Sequence, residues 1–315
     1  MTDVTVASRL GLGLAALGRP AYINLGRGAE LPAHRTVAAM RSASWHVLDE
    51  AYAAGIRWID TARSYGYAED FLAGWLDGTG HRDVTVSSKW GYTYVAQWRI
   101  DAAVHEIKEH TLSNYLAQLA ESRALLADWL SVYQVHSLTD DSPLLNDLAL
   151  QEALAATAAA GLRIGFSASG VNQAAAIRRA LELKVNGRRL FSTVQATWNP
   201  LEPSAAAALR QAHDEGAHVL VKEALANGRL AAAPPPVMAR LAARYGAGPD
   251  AIALAAALSQ PWADTVLIGP VSAAQLRSNL AAATLRLAGE DQAMLAGLAI
   301  EPARYWAERA ALPWT

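Results

Sequence analysis

Short apolar runs rich in β-branched and aromatic residues recur along the chain, separated by longer stretches in which apolar positions return every three or four residues. The first pattern reads as strand and the second as amphipathic helix. Strands are predicted near 9–14 (RLGLGL), 56–60 (IRWID), 84–89 (VTVSSK), 130–136 (LSVYQVH), 162–167 (LRIGFS), 192–196 (STVQA), 217–221 (AHVLV) and 264–268 (DTVLI). Helical patterns lie between them, as in 111–127, 172–184 and 272–283, with Ser204 and Asp250 as candidate caps. Alternation of strand and helix is the signature of parallel βα units. Eight such units in 315 residues match the size of an α/β (β/α)8 TIM barrel, predicted as a single domain over 1–315; a doubly wound open sheet is the competing architecture. The proline run Pro234 to Pro236 reads as part of a long loop after the seventh strand, with helix resuming at Val237.

Composition supports a globular enzyme: 52% hydrophobic and 18% charged residues are enough to bury a large core. The 27 basic and 29 acidic residues nearly cancel, to a formal charge of -2, so nothing electrostatic favours nucleic acid or an anionic membrane. The absence of cysteine removes disulfides, thiolate metal sites and cysteine nucleophiles. Any redox chemistry must then come from a cofactor. The opening MTDVTVASRL lacks a basic-then-apolar leader, and charges interrupt every apolar stretch. A cytoplasmic protein without membrane, nucleic-acid or metal partner is expected.

In a barrel, functional side chains collect where strands pass into the following loops. Asp60 holds that place on strand two, Lys89 on three, His136 on four, Ser167 on five, Gln195 on six, Lys222 on seven and Gly269 on eight. Singly, Asp60 could cap a helix, Lys89 could extend its charge to solvent and His136 could be a hydrogen-bonded core residue. Their shared rim is what points to a site.

The stretches IDTARSYG, SSKWG and LSVYQVHS, in this order and at these separations, resemble the aldo-keto reductases, whose fold is the (β/α)8 barrel and whose chemistry is NAD(P)H-dependent carbonyl reduction. GFSASG, VQATWNPLE and VLIGPVSAAQLRSNLAA extend the likeness nearly to full length. Carbonyl reduction needs a hydride at carbon and a proton at oxygen. The resemblance implies Tyr65 as the acid, with Lys89 and its partner Asp60 easing proton loss from a phenol whose ordinary pKa is about 10. It places His136 on the other side of the carbonyl oxygen, stabilising negative charge there.

For the cofactor, the resemblance implies that Ser167 and Gln195 hold the nicotinamide carboxamide. Ala168 stands where relatives commonly have asparagine, so one carboxamide contact is expected either to be missing or to be replaced by Ser169. Lys222 replaces the usual stacking aromatic and is expected either to lay its stem on the ring or to reach the pyrophosphate. Gly269, Ser272, Gln275 and Asn279 belong to the segment expected at the adenine end. The usual arginine for a 2′-phosphate is absent there, and Arg277 lies about 200° around a helix from Gln275. NADP(H) with weak discrimination is expected, with NAD(H) as the alternative. Aromatic residues after strand three, Trp90, Tyr92, Tyr94 and Trp98, and in the tail, Tyr305, Trp306 and Trp314, would wall the cavity for an apolar or ring-bearing carbonyl compound, or else cover helices.

Three other motifs fall short. GLGLAA lacks the helix that a dinucleotide fingerprint requires directly after it, and reads as the first strand and its exit loop. HEIKEH has Glu109 where a zinc-protease helix needs histidine, and reads as a solvated charged segment; GFSASG has Ser169 where a nucleophile elbow needs glycine. Two functions follow: a reductase of aldehydes or ketones, or a cofactor-binding redox sensor similar to potassium-channel β subunits.

Overall fold

A computed structural model describes residues 9–26 and 28–315. Eight parallel strands close into a barrel: β1 (Leu10–Gly13), β2 (Trp58–Asp60), β3 (Thr85–Trp90), β4 (Leu130–Leu138), β5 (Arg163–Ala168), β6 (Thr193–Thr197), β7 (His218–Lys222) and β8 (Thr265–Ile268). Each lies within two residues of its predicted start. Each strand pairs with its sequence neighbours, and β8 closes on β1 through Leu10↔Val266 and Leu12↔Ile268.

Among the described residues twelve helices surround or cap the barrel: α1 (Val37–Ala53), α2 (Ala68–Thr79), α3 (Leu112–Leu126), α4 (Leu148–Ala159), α5 (Gln173–Leu181), α6 (Ala206–Asp214), α7 (Arg229–Ala232), α8 (Pro236–Tyr245), α9 (Pro249–Leu258), α10 (Ala273–Leu280), α11 (Gly289–Ala296) and α12 (Pro302–Ala310). Thr36, Thr111 and Ser272 cap α1, α3 and α10, each accepting the amide of the residue three positions on. The two predicted caps do not cap. Ser204 donates its hydroxyl to Glu202 ahead of α6, and Asp250 lies inside α9, where Ser278 and Asn279 occupy its carboxylate. Helix α8 begins one residue earlier than expected because Pro236 sits in its first turn, where its fixed φ suits the helix.

Strand alternation sets the interior. Trp58, Val132, Leu220 and Leu267 form a buried apolar cluster of their own. Two residues further along the same strands come Asp60, Gln134, Lys222 and Gly269, and His136 lies two beyond Gln134. A period of two keeps these on one face, so an apolar plug gives way to a polar layer at the C-terminal ends. After β3 an antiparallel hairpin pairs Tyr92–Tyr94 with Glu106–Lys108, Tyr92 opposite Lys108. No helix among the described residues is long and apolar enough to cross a membrane.

Candidate active site

Asp60 is the hub of the polar layer. Its Oδ1 accepts from Ser87 Oγ (2.7 Å), Gln195 Nε2 (3.0 Å) and Gln134 Nε2 (3.3 Å), and its Oδ2 accepts from Lys89 Nζ. Lys89 also donates to the Thr61 carbonyl (2.9 Å) and lies 4.9 Å from the centroid of the Tyr65 ring. Lys89 and Asp60 are both buried. A buried ion pair tolerates its desolvation only when its other valences are satisfied, and four donors on one carboxylate meet that need.

Tyr65 reaches this pair through a compressed turn. Gly66 has φ +65°, and a Cβ there would lie 2.5 Å from the Gly18 carbonyl oxygen; only glycine fits such a place at low cost. The same approach brings Arg19 over the Tyr65 ring, 5.0 Å from its centroid. The phenol is thus flanked by two cations, Lys89 and Arg19. Burial raises its pKa above the ordinary value and Asp60 adds to this, whereas Arg19 opposes it. Among the described residues no hydrogen bond joins Lys89 to the phenol oxygen, and the two are related by the ring contact alone.

His136 stands edge-on to Tyr65 at 5.6 Å and to Tyr92 at 4.9 Å. Loss of hydration, then the charges of Lys89, Lys222 and Arg19, hold its pKa well below the usual imidazole value, so the ring is neutral. Its backbone is pinned. His110 donates from Nε2 to the His136 carbonyl (2.8 Å) and accepts at Nδ1 from Ser142 Oγ (2.7 Å), while Ser167 Oγ accepts the Ser137 amide (2.8 Å). Ser137 itself has φ +53°, so these bonds hold a backbone conformation that costs energy. His110 is buried, and burial lowers its pKa to about 4. The HEIKEH segment is therefore not simply solvated: His105 and His110 are buried, and Glu106 pairs with Arg19 at 2.9 Å.

On the far wall Lys222 donates to Thr197 Oγ1 (2.9 Å) and Ser169 Oγ (3.2 Å), leaving one of its three N–H donors for the cavity. Burial lowers its pKa to about 8, against the pull of Glu223. Glu223 is bound twice by Arg309 from α12 (2.9 and 2.5 Å). Although burial pushes the Glu223 carboxyl up, Arg309 and then Lys222 hold it at about 2. The tail returns to the mouth: Trp314 stacks on His105 at 4.1 Å, and Thr315 pairs its backbone with Tyr22.

These groups enclose a cavity of about 490 Å³. Asp60, Tyr65, Tyr92, His136, Gln195, Lys222 and Gly269 line it, together with Ser169, Trp306, Arg309 and Trp314. Several expected residues lie elsewhere. Trp90 is buried on the opposite face of β3 from Lys89, against Tyr115 (4.9 Å) and His110 (5.7 Å), as adjacent strand positions must be. Trp98 packs on Tyr67 and gives its indole N–H to the Arg35 carbonyl. Ser167 is buried in support of Ser137, and it is Ser169 that reaches the cavity. Ser272 and Gln275 lie beyond the cavity: Ser272 caps α10, and Gln275 Oε1 accepts the Val271 amide at 3.0 Å. Asn279 is buried and bonded to Asp250 (2.7 Å), not turned outward. Arg19, to which sequence reading gave no role, lies over the Tyr65 ring, and His110, read there as part of a solvated segment, holds the His136 carbonyl; both arrive from loops distant in sequence.

A family model, the aldo/keto reductase family, matches residues 9–300. The chain belongs to that family, whose members reduce carbonyl groups on small molecules with nicotinamide cofactors. Among solved structures it is similar to an aldo-keto reductase from Bacillus halodurans in its holo form, at 21% identity over 93% of this chain and 92% of that one, with a TM-score of 0.69. It is also similar to a Pseudomonas aeruginosa protein assigned to the aldo-keto reductases (22% identity, 87% and 89% covered, TM-score 0.64). A third likeness is to a protein assigned as 2,5-diketo-D-gluconic acid reductase B (22% identity, 94% and 89% covered, TM-score 0.64). At such identities these likenesses speak for the fold. No curated protein sequence matches the chain.

Proposed function

We propose that the protein reduces an aldehyde or ketone to an alcohol with NADP(H), and that Tyr65 donates the proton to the carbonyl oxygen. The observation that carries this reading is the buried Asp60–Lys89 pair beside the Tyr65 ring. A phenol whose pKa is raised by burial keeps its proton until it is needed, and the two flanking cations stabilise the phenolate left behind. His136, neutral, offers an N–H to the same oxygen as negative charge develops on it. Proton transfer from Tyr65 and charge stabilisation by His136 then act on one atom from two sides.

The donor set fits a nicotinamide cofactor. Gln195 gives its amide N–H to Asp60 and keeps its oxygen for a carboxamide donor, with the Ser169 hydroxyl across the cavity. Lys222 presents a cation for a pyrophosphate oxygen, and a Cβ at Gly269 would meet no atom within 4 Å, leaving room for close approach. The start of α10, capped by Ser272, offers amide groups of the kind that bind phosphate. Ser272 and Gln275 contribute neutral groups toward a 2′-phosphate, hence only a small preference for NADP(H) over NAD(H). When bound, the cofactor supplies the hydride.

The test is consumption of NADPH, followed by loss of its near-ultraviolet absorbance, on mixing the protein with a panel of aldehydes and ketones. Turnover of at least one neutral aldehyde supports the reading. Tight NADPH binding with no turnover of any panel member would contradict it and favour a sensor.

A further inference from the structure

Resting on that reading, we infer that the preferred substrate carries an anionic group, a carboxylate or phosphate, held by Lys108 at the far end of the cavity from Tyr65.

The charges lining the cavity pair off unevenly. Asp60 has Lys89, Glu106 has Arg19 at 2.9 Å, and Glu223 has Arg309 at 2.5 Å. Two cations remain in excess. Lys222 shares Glu223 at 3.9 Å with the closer Arg309, and its free donor is allotted above to the cofactor. Lys108 is the other: among the described residues no carboxylate lies within 4.0 Å of its Nζ, which donates to Thr139 Oγ1 at 3.2 Å. Thr139 in turn donates to Asp141, a fully exposed carboxylate whose attraction for Lys108 is screened by water.

The hairpin explains why this lysine lines the cavity. Glu106 and Lys108 flank Ile107 on alternate hairpin positions, so they share the face that lines the cavity, with Lys108 exposed to solvent. Lys108 stands opposite Tyr92, whose ring touches His136 edge-on, and His136 in turn touches Tyr65. The sequence Tyr65, His136, Tyr92, Lys108 therefore runs from proton donor to excess cation along one wall, with an aromatic surface between them. A substrate matching it has a carbonyl at one end, a ring-sized apolar body and an anion at the other. Thr139, also lining the cavity, adds a hydroxyl beside the ammonium, which suits either a carboxylate or a phosphate oxygen.

The experiment compares 4-carboxybenzaldehyde with 4-formylbenzamide, which differ in charge at nearly constant shape, using wild-type protein and saturating NADPH. A kcat/KM about tenfold higher for the acid, carried by KM and shrinking with added salt, is expected; that is about 1.4 kcal/mol. Lys108→Met should bring the two values within a factor of about two, and Lys108→Arg should keep most of the preference. Equal values in the wild type, or a preference that survives Lys108→Met, would overturn the inference. Dissociation constants for 4-carbamoylbenzoate and terephthalamide, which cannot be reduced, give the same comparison without chemistry. A preference there with no turnover of either aldehyde would leave the anion site standing and contradict the reductase reading instead; no preference in binding would overturn the anion site.

Discussion

Lys89 sits between Asp60, whose carboxylate it binds, and Tyr65, whose ring centroid is 4.9 Å away. The carboxylate fixes the buried ammonium in place beside the phenol ring. Burial, and after it the Asp60 charge, raises the pKa of Tyr65, so the cation beside its ring is the group to remove in testing the proposed acid.

Replacing Lys89 with Met should reduce turnover by about 10²-fold or more, the range for loss of effective acid catalysis. It should also cost roughly 3–5 kcal/mol of stability, because Asp60 is left buried without its cation. Thermal melting and steady-state kinetics on one preparation check both. A Lys89→Met protein with normal melting temperature and normal turnover would contradict the coupling.

His110 is a positioning residue for His136. His110→Phe keeps the ring but removes both hydrogen bonds, so kcat should fall about tenfold while NADPH binding is retained; unpairing the His136 carbonyl and the Ser142 hydroxyl should cost about 1–3 kcal/mol of stability. His110→Gln, whose amide N–H can reach the same carbonyl, should recover part of kcat. A purely structural role would lower stability without this kcat-specific loss and rescue.

How much of this was legible in the sequence depended on whether a residue's place follows from strand alternation. Asp60, Lys89, His136, Gln195 and Lys222 end barrel strands, and period two carries them to one rim. The same rule, applied one residue further, would have sent Trp90 to the outside of β3. Arg19 and His110 come from loops, and Glu106 and Lys108 from the short hairpin after β3; where these arrive depends on packing, such as the Gly18–Gly66 approach for Arg19, which no barrel-strand period describes. Asp250 illustrates the reverse case: a residue of capping type was drawn instead to Ser278 and Asn279 on a neighbouring helix. Local propensity was overridden by tertiary hydrogen bonding.

Lys222 should report cofactor binding through its proton. Burial holds its pKa at about 8, below the ordinary 10.5; since the unfolded chain binds that proton more tightly, stability from this group is lowest below about pH 8 and rises between 8 and 10.5. An anionic phosphate placed beside it raises the pKa, so NADPH binding near pH 8 should take up a fraction of a proton. Calorimetry in two buffers of different ionisation enthalpy measures that uptake, which Lys222→Met should abolish. Uptake unchanged in the variant would place the pyrophosphate elsewhere.

The neutral side chains near the start of α10 should make cofactor choice shallow. NADPH is expected to bind about tenfold more tightly than NADH, ~1.4 kcal/mol. Arg277, exposed on the helix, should matter little, so Arg277→Ala should leave the ratio of dissociation constants nearly unchanged. A preference near a thousandfold, or its collapse in the variant, would reveal a cationic clamp at Arg277.

The central claim is that Tyr65 delivers the proton, and single-turnover kinetics of Tyr65→Phe test it most directly. With NADPH prebound and a good aldehyde added, nicotinamide oxidation should slow by about 10²- to 10⁴-fold, while the dissociation constant for NADPH and the melting temperature stay close to wild type. A Tyr65→Phe protein that oxidises bound NADPH at nearly the wild-type rate would contradict the account.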